Sequence, residues 1–173
     1  RILVVLKNKL DYEKSVIPYL LFIAFKTGMR FGEVLGLTWD CIDLNNQIIH
    51  TYRRYYNYQW RPPKTETSVR DVPIDDETVV VLNLLKKEQR LAYQNRGIRE
   101  EENFLFYDVV YGVPSNNAVN KFLQSLLMKY DIQPFTLTAT GVRHTYASIL
   151  LAKGIDIWVV AHVMGHKNIK QVT

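Results

Sequence analysis

The pattern of apolar and polar positions divides the chain into a helical start, a middle rich in strand-forming residues and a helical end. Residues 3–37 have helical periodicity, with Pro18 in the first turn of the second helix, where proline is tolerated. Residues 47–52 have the β-branched and aromatic content of a strand. Residues 55–74 predict two further strands around a turn at residues 61–67.

Capping and turn residues mark the helices of the second half. Asp75 and Asp76 predict the start of a helix, and Gly97 predicts its end. The expected apolar face of this helix consists of Val81, Leu84, Leu85, Leu91 and Ala92. A short strand is expected at residues 104–106. Pro114-Ser-Asn-Asn predicts the start of the next helix. Two final helices follow: Gly154 predicts the end of the first, and Asp156 predicts the start of the second.

This order of elements predicts a fold that is mainly α with a small antiparallel β-sheet (α+β), in one domain. The strands follow one another in sequence, which argues against a parallel sheet built from βαβ units. The composition of the 173 residues, 47% hydrophobic and 23% charged, is that of an ordinary globular protein. The longest apolar run, residues 16–25, is too short for a bilayer, so no membrane association is expected.

Charge, cysteine content and missing motifs narrow the function. The net charge of +5 is compatible with nucleic acid without proving it. Cys41 is the single cysteine, which excludes an internal disulfide and indicates a reducing, cytoplasmic location. No phosphate-binding P-loop motif is present. His162 and His166 have zinc-ligand spacing, but Gly165 is expected to end the helix between them, so no metal and no cofactor is expected.

Two candidate residues lie in the first half of the chain. Arg30 follows a glycine turn, and Glu33 comes three residues later, where it could hold the guanidinium group. A plain surface ion pair explains this spacing equally well. Lys64 lies in the expected turn at residues 61–67, where its ammonium group could reach a ligand. Most turn lysines are simply solvated, and nothing in the local sequence separates the two interpretations.

Two further candidates lie near the end of the chain. Arg143 is expected in the first turn of a helix, where a cation opposes the helix dipole and should therefore have a negative partner. His166 follows a glycine that ends the next helix. A lone histidine in such a place is more often structural than catalytic.

Taken together and in this order, these segments resemble the tyrosine recombinase family, in particular the phage and conjugative-transposon integrases of Gram-positive bacteria. The resemblance rests on four motifs: T-G-M-R-F-G-E with L-T-W at residues 27–39, P-K-T with Ser68 and Arg70, R-H-T-Y-A-S from Arg143, and M-G-H ending at His166. Each motif alone is weak, but four in the family's order are specific. They cover the chain from Thr27 to His166.

The resemblance implies DNA strand cleavage and rejoining through a 3′-phosphotyrosine intermediate, without metal or nucleotide. Arg30 and Arg143 would bind the phosphoryl oxygens, because arginine offers a planar, permanently charged set of donors. Lys64 would protonate the leaving 5′-oxygen as a general acid. His166 would hydrogen-bond the phosphate in the transition state. Glu33 would support Arg30.

Two departures from the family pattern stand out. The family usually has a histidine three residues before the second arginine, and this chain has Thr140 there, which cannot exchange a proton near neutral pH. The family's nucleophilic tyrosine would lie a few residues beyond Thr173. Residues 1–173 are therefore expected to be a catalytic-domain fragment that lacks the N-terminal core-binding domain and the tyrosine segment, and that does not cleave DNA.

The resemblance also implies partners. Double-stranded DNA is the expected ligand, held mostly through phosphate contacts. The full-length protein is expected to act as a homotetramer on DNA, encoded by a bacterium or a phage, while residues 1–173 alone are expected to be monomeric. A type IB topoisomerase shares the chemistry but has different motif surroundings. A DNA-binding relative that has lost catalysis is the second alternative.

Overall fold

A computed structural model of the chain describes residues 1–166. Three helices precede the strands: α1 (Ile2–Asn8), α2 (Ile17–Thr27) and α3 (Phe31–Leu35). Helix α2 runs through the centre of the core, and its apolar residues from 18 to 24 are all buried. It begins with a proline in its first turn, as predicted, and ends at Gly28 in the left-handed conformation, with φ of 65°.

Five short strands form two antiparallel sheets. Strands β1 (Ile42–Asp43), β2 (Ile48–Thr51) and β5 (Arg70–Pro73) lie in the order β1-β2-β5, while β3 (Arg54–Tyr56) and β4 (Gln59–Arg61) form a separate hairpin. On β5, buried and exposed residues alternate, as expected for a strand with one covered face.

The predicted hairpin turn at residues 61–67 is wrong. Strand β3 turns into β4 at Asn57 and Tyr58, both with positive φ, and β5 pairs with β2 instead of β4. The physical reason lies in Pro62 and Pro63, which have no N–H donor for a strand ladder and so end β4. Residues 62–69 instead form an irregular connection with one turn of 3-10 helix.

The long helix α4 (Asp76–Arg96) has the predicted ends: Asp75 accepts a hydrogen bond from the Thr78 backbone at 2.9 Å, and Gly97 closes the helix with φ of 64°. Its apolar face is only partly as predicted, because Leu84 and Leu91 are 40% and 49% exposed. At 100° per residue they lie about 60–80° around the helix from Val81, beyond the covered stripe.

The expected strand at residues 104–106 is wrong as well. These residues are buried, but Phe104 makes only an isolated bridge to Thr38. Helices α5 (Asn116–Lys129), α6 (Ala139–Ala152) and α7 (Ile157–Met164) complete the chain as described, with Ser115 and Asp156 capping α5 and α7 as the sequence predicts.

The fold class is confirmed: the architecture is mainly α with small antiparallel sheets. Helix α6 packs across α2, so the two ends of the chain meet in one core. A small second cluster of Ala147, Val160 and Met164 holds α7 against α6. No helix within residues 1–166 is long and apolar enough to cross a membrane.

Candidate active site

One pocket of about 380 Å³ collects residues from both ends of the chain. It lies between α3, β3, the connection after β4 and the first turns of α5 and α6. Three of the four predicted catalytic residues, Arg30, Lys64 and Arg143, line this pocket together with Thr140. The complete lining is Arg30, Phe31, Gly32, Arg54, Tyr56, Lys64, Asn116, Ala139, Thr140, Arg143 and His144. None of these side chains is acidic, so the pocket is suited to an anion.

Arg30 is held at the start of α3. Its Nη1 donates a hydrogen bond to Ser68 Oγ at 2.9 Å, and its backbone N–H donates to Glu33 Oε1 at 2.9 Å. Burial, together with the nearby Arg70 and Arg54, lowers the pKa of Arg30, although Glu33 opposes this shift. A guanidinium group stays charged at neutral pH even so.

Glu33 forms an ion pair with the Arg30 guanidinium, as its i+3 spacing suggested, but the two side chains do not hydrogen-bond. Its Oε2 lies 3.7 Å from Arg30 Nη1, which is too long for a hydrogen bond. Both carboxylate oxygens instead accept hydrogen bonds from Arg70, at 2.9 and 3.2 Å. No sequence signal joins Glu33 to Arg70, because they lie 37 residues apart and meet only when β5 reaches α3.

Arg143 lies in α6, but the expected position in the first turn is wrong. The helix begins at Ala139, because Thr138 Oγ1 accepts the Gly141 N–H, so Arg143 is the fifth residue of the helix. Thr140 occupies the first turn instead.

The expected negative partner of Arg143 is also missing among residues 1–166. The guanidinium donates from Nη1 to Gly28 O at 2.9 Å and from Nη2 to Met164 O, and Nη2 lies 2.9 Å from His166 Nε2. Burial, and then repulsion from Arg30, lowers the pKa of Arg143 to about 9. Because Nε and one proton of Nη1 have no partner in the described chain, these donors remain for a ligand.

His166 stands behind Arg143 and is not part of the pocket lining. It follows Gly165, which ends α7 with φ of 73°, as predicted. Burial, and then repulsion from Arg143 and Arg30, lowers the pKa of His166 to about 4, so the ring is neutral at pH 7. Since arginine can only donate, His166 Nε2 accepts and the ring proton lies on Nδ1, which is buried without a partner within residues 1–166.

Lys64 differs from the arginines in its surroundings. It is exposed in the connection after β4, and no carboxylate in the described part of the chain pairs with it. Tyr146 lies with its ring against Gly28, where a Cβ atom would come within 2.1 Å of Tyr146 Cδ1. Burial raises the pKa of this tyrosine.

Arg54, Tyr56 and Asn116 line the pocket without having been singled out from the sequence. Arg54 comes close to α3 because Gly32 and Gly36 have no side chain; a Cβ at Gly36 would lie 3.2 Å from the Arg54 backbone. Arg54 Nε donates to Pro62 O at 3.1 Å, which holds the side chain at the rim. The only signal was the mixture of basic and aromatic residues from 52 to 61.

The segment from residue 52 to residue 61, which mixes basic and aromatic side chains, has two faces. Tyr55 and Trp60 pack against Phe104, with ring centroids 5.0 and 5.3 Å from it. Tyr56 and Tyr58 are 48% and 69% exposed on the other face. Tyr55 and Trp60 therefore pack into the protein, whereas Tyr56 lines the pocket.

No group of three or more histidine, cysteine, aspartate or glutamate side chains that could hold a metal comes together in residues 1–166. His162 and His166 are separated by the end of α7, as predicted. The site therefore consists of fixed guanidinium groups, one exposed lysine and hydroxyl groups. Such a set can bind a phosphate and stabilise charge that develops on it.

The chain belongs to the phage integrase family, whose model matches residues 2–173. It is 28% identical over 167 residues to a XerC-like tyrosine recombinase of Caldanaerobacter subterraneus subsp. tengcongensis, covering 87% of this chain and 42% of that protein. It is 26% identical over 152 residues to the ICEBs1 integrase of Bacillus subtilis, covering 86% and 41%. The chain thus spans about two fifths of the length of these relatives.

The fold is similar to that of the Tn1549 transposon integrase, solved in complex with circular intermediate DNA. The two structures superpose with a TM-score of 0.74 at 25% identity, over 87% of this chain and 51% of the integrase chain. The suspected family and the predicted fold are therefore both confirmed.

Proposed function

We propose that this chain is the catalytic domain of a site-specific DNA recombinase that integrates or excises a mobile element, and that its pocket binds the scissile phosphate. The observation that carries the proposal is the meeting of Arg30, Lys64 and Arg143 in one pocket without an acidic side chain. The names of the relatives support it, since they include integrases and transposases of mobile elements.

In the proposed reaction, Arg30 and Arg143 bind the two non-bridging oxygens of the phosphate. A tyrosine gives its phenol proton to water as its oxygen bonds to phosphorus, the bond from phosphorus to the 5′-oxygen breaks, and Lys64 gives its proton to that leaving oxygen. The reverse step joins a different strand. His166 acts through Arg143, and it contacts the phosphate directly only if its Nε2 leaves the guanidinium.

The nucleophilic tyrosine is expected, from the resemblance, to follow Thr173. Tyr56 is the one tyrosine in the pocket lining. We therefore expect residues 1–173 to bind duplex DNA, with an affinity that falls steeply as salt rises, and to form no covalent DNA adduct. A nicked duplex that traps the phosphotyrosine tests this. An adduct that disappears in Tyr56→Phe would contradict the expected position of the nucleophile.

The whole protein is expected to have a core-binding domain before this one and to act as a homotetramer on DNA. Light scattering tests this: residues 1–173 should remain monomeric, and the full-length protein should form tetramers only with its DNA site. A tetramer of residues 1–173 without DNA would contradict this assembly.

A non-catalytic DNA-binding relative is the second candidate, and Thr140 favours it. The threonine lines the pocket at the place where the resemblance implies a proton-exchanging histidine. The full-length protein discriminates: strand cleavage that increases in Thr140→His supports a slow enzyme, whereas no cleavage in either form supports a binding protein.

A further inference from the structure

Arg70 is a fourth arginine near the site, beside Arg30, Arg54 and Arg143, but it does not line the pocket. Its side chain is 2% exposed, and that of its partner Glu33 is 4% exposed. Besides the two bonds to Glu33, Arg70 Nε donates to Val163 O at 2.7 Å and Nη1 donates to Ser68 O at 2.7 Å. The side chain therefore joins β5 to α3 and to the end of α7.

The Glu33 carboxylate also lies close to Arg30. Its Oε1 accepts the Arg30 backbone N–H, while its Oε2 stays 3.7 Å from the Arg30 guanidinium. Among the described residues, that guanidinium has one hydrogen bond, from Nη1 to Ser68 Oγ. Most of its five donors are thus left for an anion.

We propose that Arg70 is a positioning residue that keeps the Glu33 carboxylate away from the Arg30 guanidinium, so that Arg30 stays available for phosphate. This inference rests on the proposed function. A two-pronged arginine–carboxylate bond is the stronger geometry, and it occupies both oxygens of Glu33. Without it, Arg30 is the cation that remains within 4 Å of this carboxylate. A small side-chain rotation would then shorten the 3.7 Å ion pair to a hydrogen-bonded salt bridge, which would neutralise the Arg30 guanidinium that is to bind phosphate.

The end of α7 fixes the orientation of Arg70. The Val163 carbonyl holds Nε, and Gly165 lies so close that a Cβ there would come within 2.8 Å of Arg70 Nη1. The two Nη nitrogens are thereby turned toward Glu33. Because His166 follows directly after Gly165, the same contacts place the histidine behind Arg143.

Sulfate, whose charge is constant near neutral pH, is a suitable probe for residues 1–173. In protein with ¹⁵N-labelled arginine, sulfate should shift the side-chain NMR signals of both Arg30 and Arg143. In Arg70→Met we expect about tenfold weaker sulfate binding, because Arg30 is lost as a charged donor. The Arg30 signal should no longer respond to sulfate, while the Arg143 signal still should. A purely structural role of Arg70 would weaken both responses together.

The double variant Arg70→Met/Glu33→Gln should restore sulfate binding to within about threefold of the unaltered chain, since the competing charge is gone and glutamine keeps an acceptor for the Arg30 N–H. Arg96→Met is the matched control, because Arg96 pairs with Glu13 on the surface, and it should change nothing. If Arg70→Met does not fold, Arg70→Lys replaces it, and a partial loss of the Arg30 response is expected because lysine cannot hold both oxygens.

The outcomes separate the two proposals. If sulfate shifts neither arginine in the unaltered chain, the proposed phosphate pocket is wrong. A different outcome concerns Arg70 alone. If the unaltered chain binds sulfate, and folded Arg70→Met or Arg70→Lys binds it equally well with Arg30 still responding, the proposed positioning role of Arg70 is wrong. Failure of the folded double variant to recover would also overturn it.

Discussion

Arg143 and Lys64 line the same pocket, but the molecule holds them in opposite ways. Arg143 is 7% exposed on a helix, and its guanidinium is bonded to two carbonyl oxygens and a histidine. Lys64 is exposed on an irregular connection and pairs with no described carboxylate. A group that stabilises charge on a phosphate must be fixed in advance, whereas a proton donor must reach the leaving oxygen. The difference fits the two proposed roles.

The largest effect is expected from Arg143→Ala in the full-length protein. Removing a preorganised donor typically costs about 3–4 kcal/mol of barrier, so DNA cleavage should slow by about a hundred- to a thousandfold. Arg143→Lys should recover little, because lysine lacks the planar set of donors. Single-turnover formation of the covalent adduct measures this, with the exposed Lys153→Ala as control. Cleavage within threefold of normal would exclude Arg143 from the reaction.

Lys64→Ala should affect chemistry alone. Cleavage should slow by about a hundredfold, as is typical for loss of a general acid. Because Lys64 is exposed and unpaired in the described chain, thermal stability should change by less than about 0.5 kcal/mol. A substrate with sulfur in place of the leaving 5′-oxygen needs no proton donor and should restore the rate. A variant that stays slow on this substrate would argue against the general-acid role.

Gly28→Ala should disturb the segment whose carbonyl oxygen, Gly28 O, accepts a hydrogen bond from Arg143, and it should not affect Lys64. The new Cβ would overlap the ring of Tyr146 and would require a positive φ. Overpacking and this backbone strain should destabilise the fold by about 2 kcal/mol. Chemical denaturation measures this against Gly97→Ala, which has a similar φ but nothing within 4 Å. Equal losses in the two variants would show that packing against Tyr146 contributes nothing.

His166 should give the most gradual effect, a pH dependence of stability spread over more than two pH units. Its pKa falls from 6.5 to about 4 on folding, because of burial and the cations Arg143, Arg30 and Arg70. The unfolded chain therefore binds a proton at His166 more readily than the folded chain does. The stability present above pH 6.5 should be lost as the pH falls toward 4, by less than about 1.4 kcal/mol per pH unit. Denaturation curves between pH 4 and 7 measure it. A slope unchanged in His166→Gln would assign the effect to other groups.

Local signals in the sequence were reliable where one residue type decides the backbone. Asp75, Gly97 and Asp156 set helix ends as predicted, because capping needs only nearby atoms. The sequence prediction puts Arg143 in the first turn of α6, whereas Thr138 caps the helix and makes it begin at Ala139. The predicted hairpin turn at residues 61–67 does not form because Pro62 and Pro63 cannot donate to a strand ladder.

The candidate site was predictable in its members but not in its contacts. The four motifs predict Arg30, Lys64 and Arg143 as site residues, and the fold brings these three together in one pocket. The Glu33–Arg70 pair and the approach of Arg54 arise from packing between distant segments, for which one sequence holds no signal. The sequence therefore indicates Arg70 only as part of a motif, although both of its Nη atoms donate to Glu33.

The most direct test of the phosphate pocket is a crystal structure of residues 1–173 soaked in sulfate. We predict one sulfate held jointly by Arg30 and Arg143, with Lys64 within reach and the Thr140 hydroxyl beside it. Sulfate bound elsewhere, or Arg30 and Arg143 turned away from a shared anion, would contradict the central claim that this pocket binds the scissile phosphate.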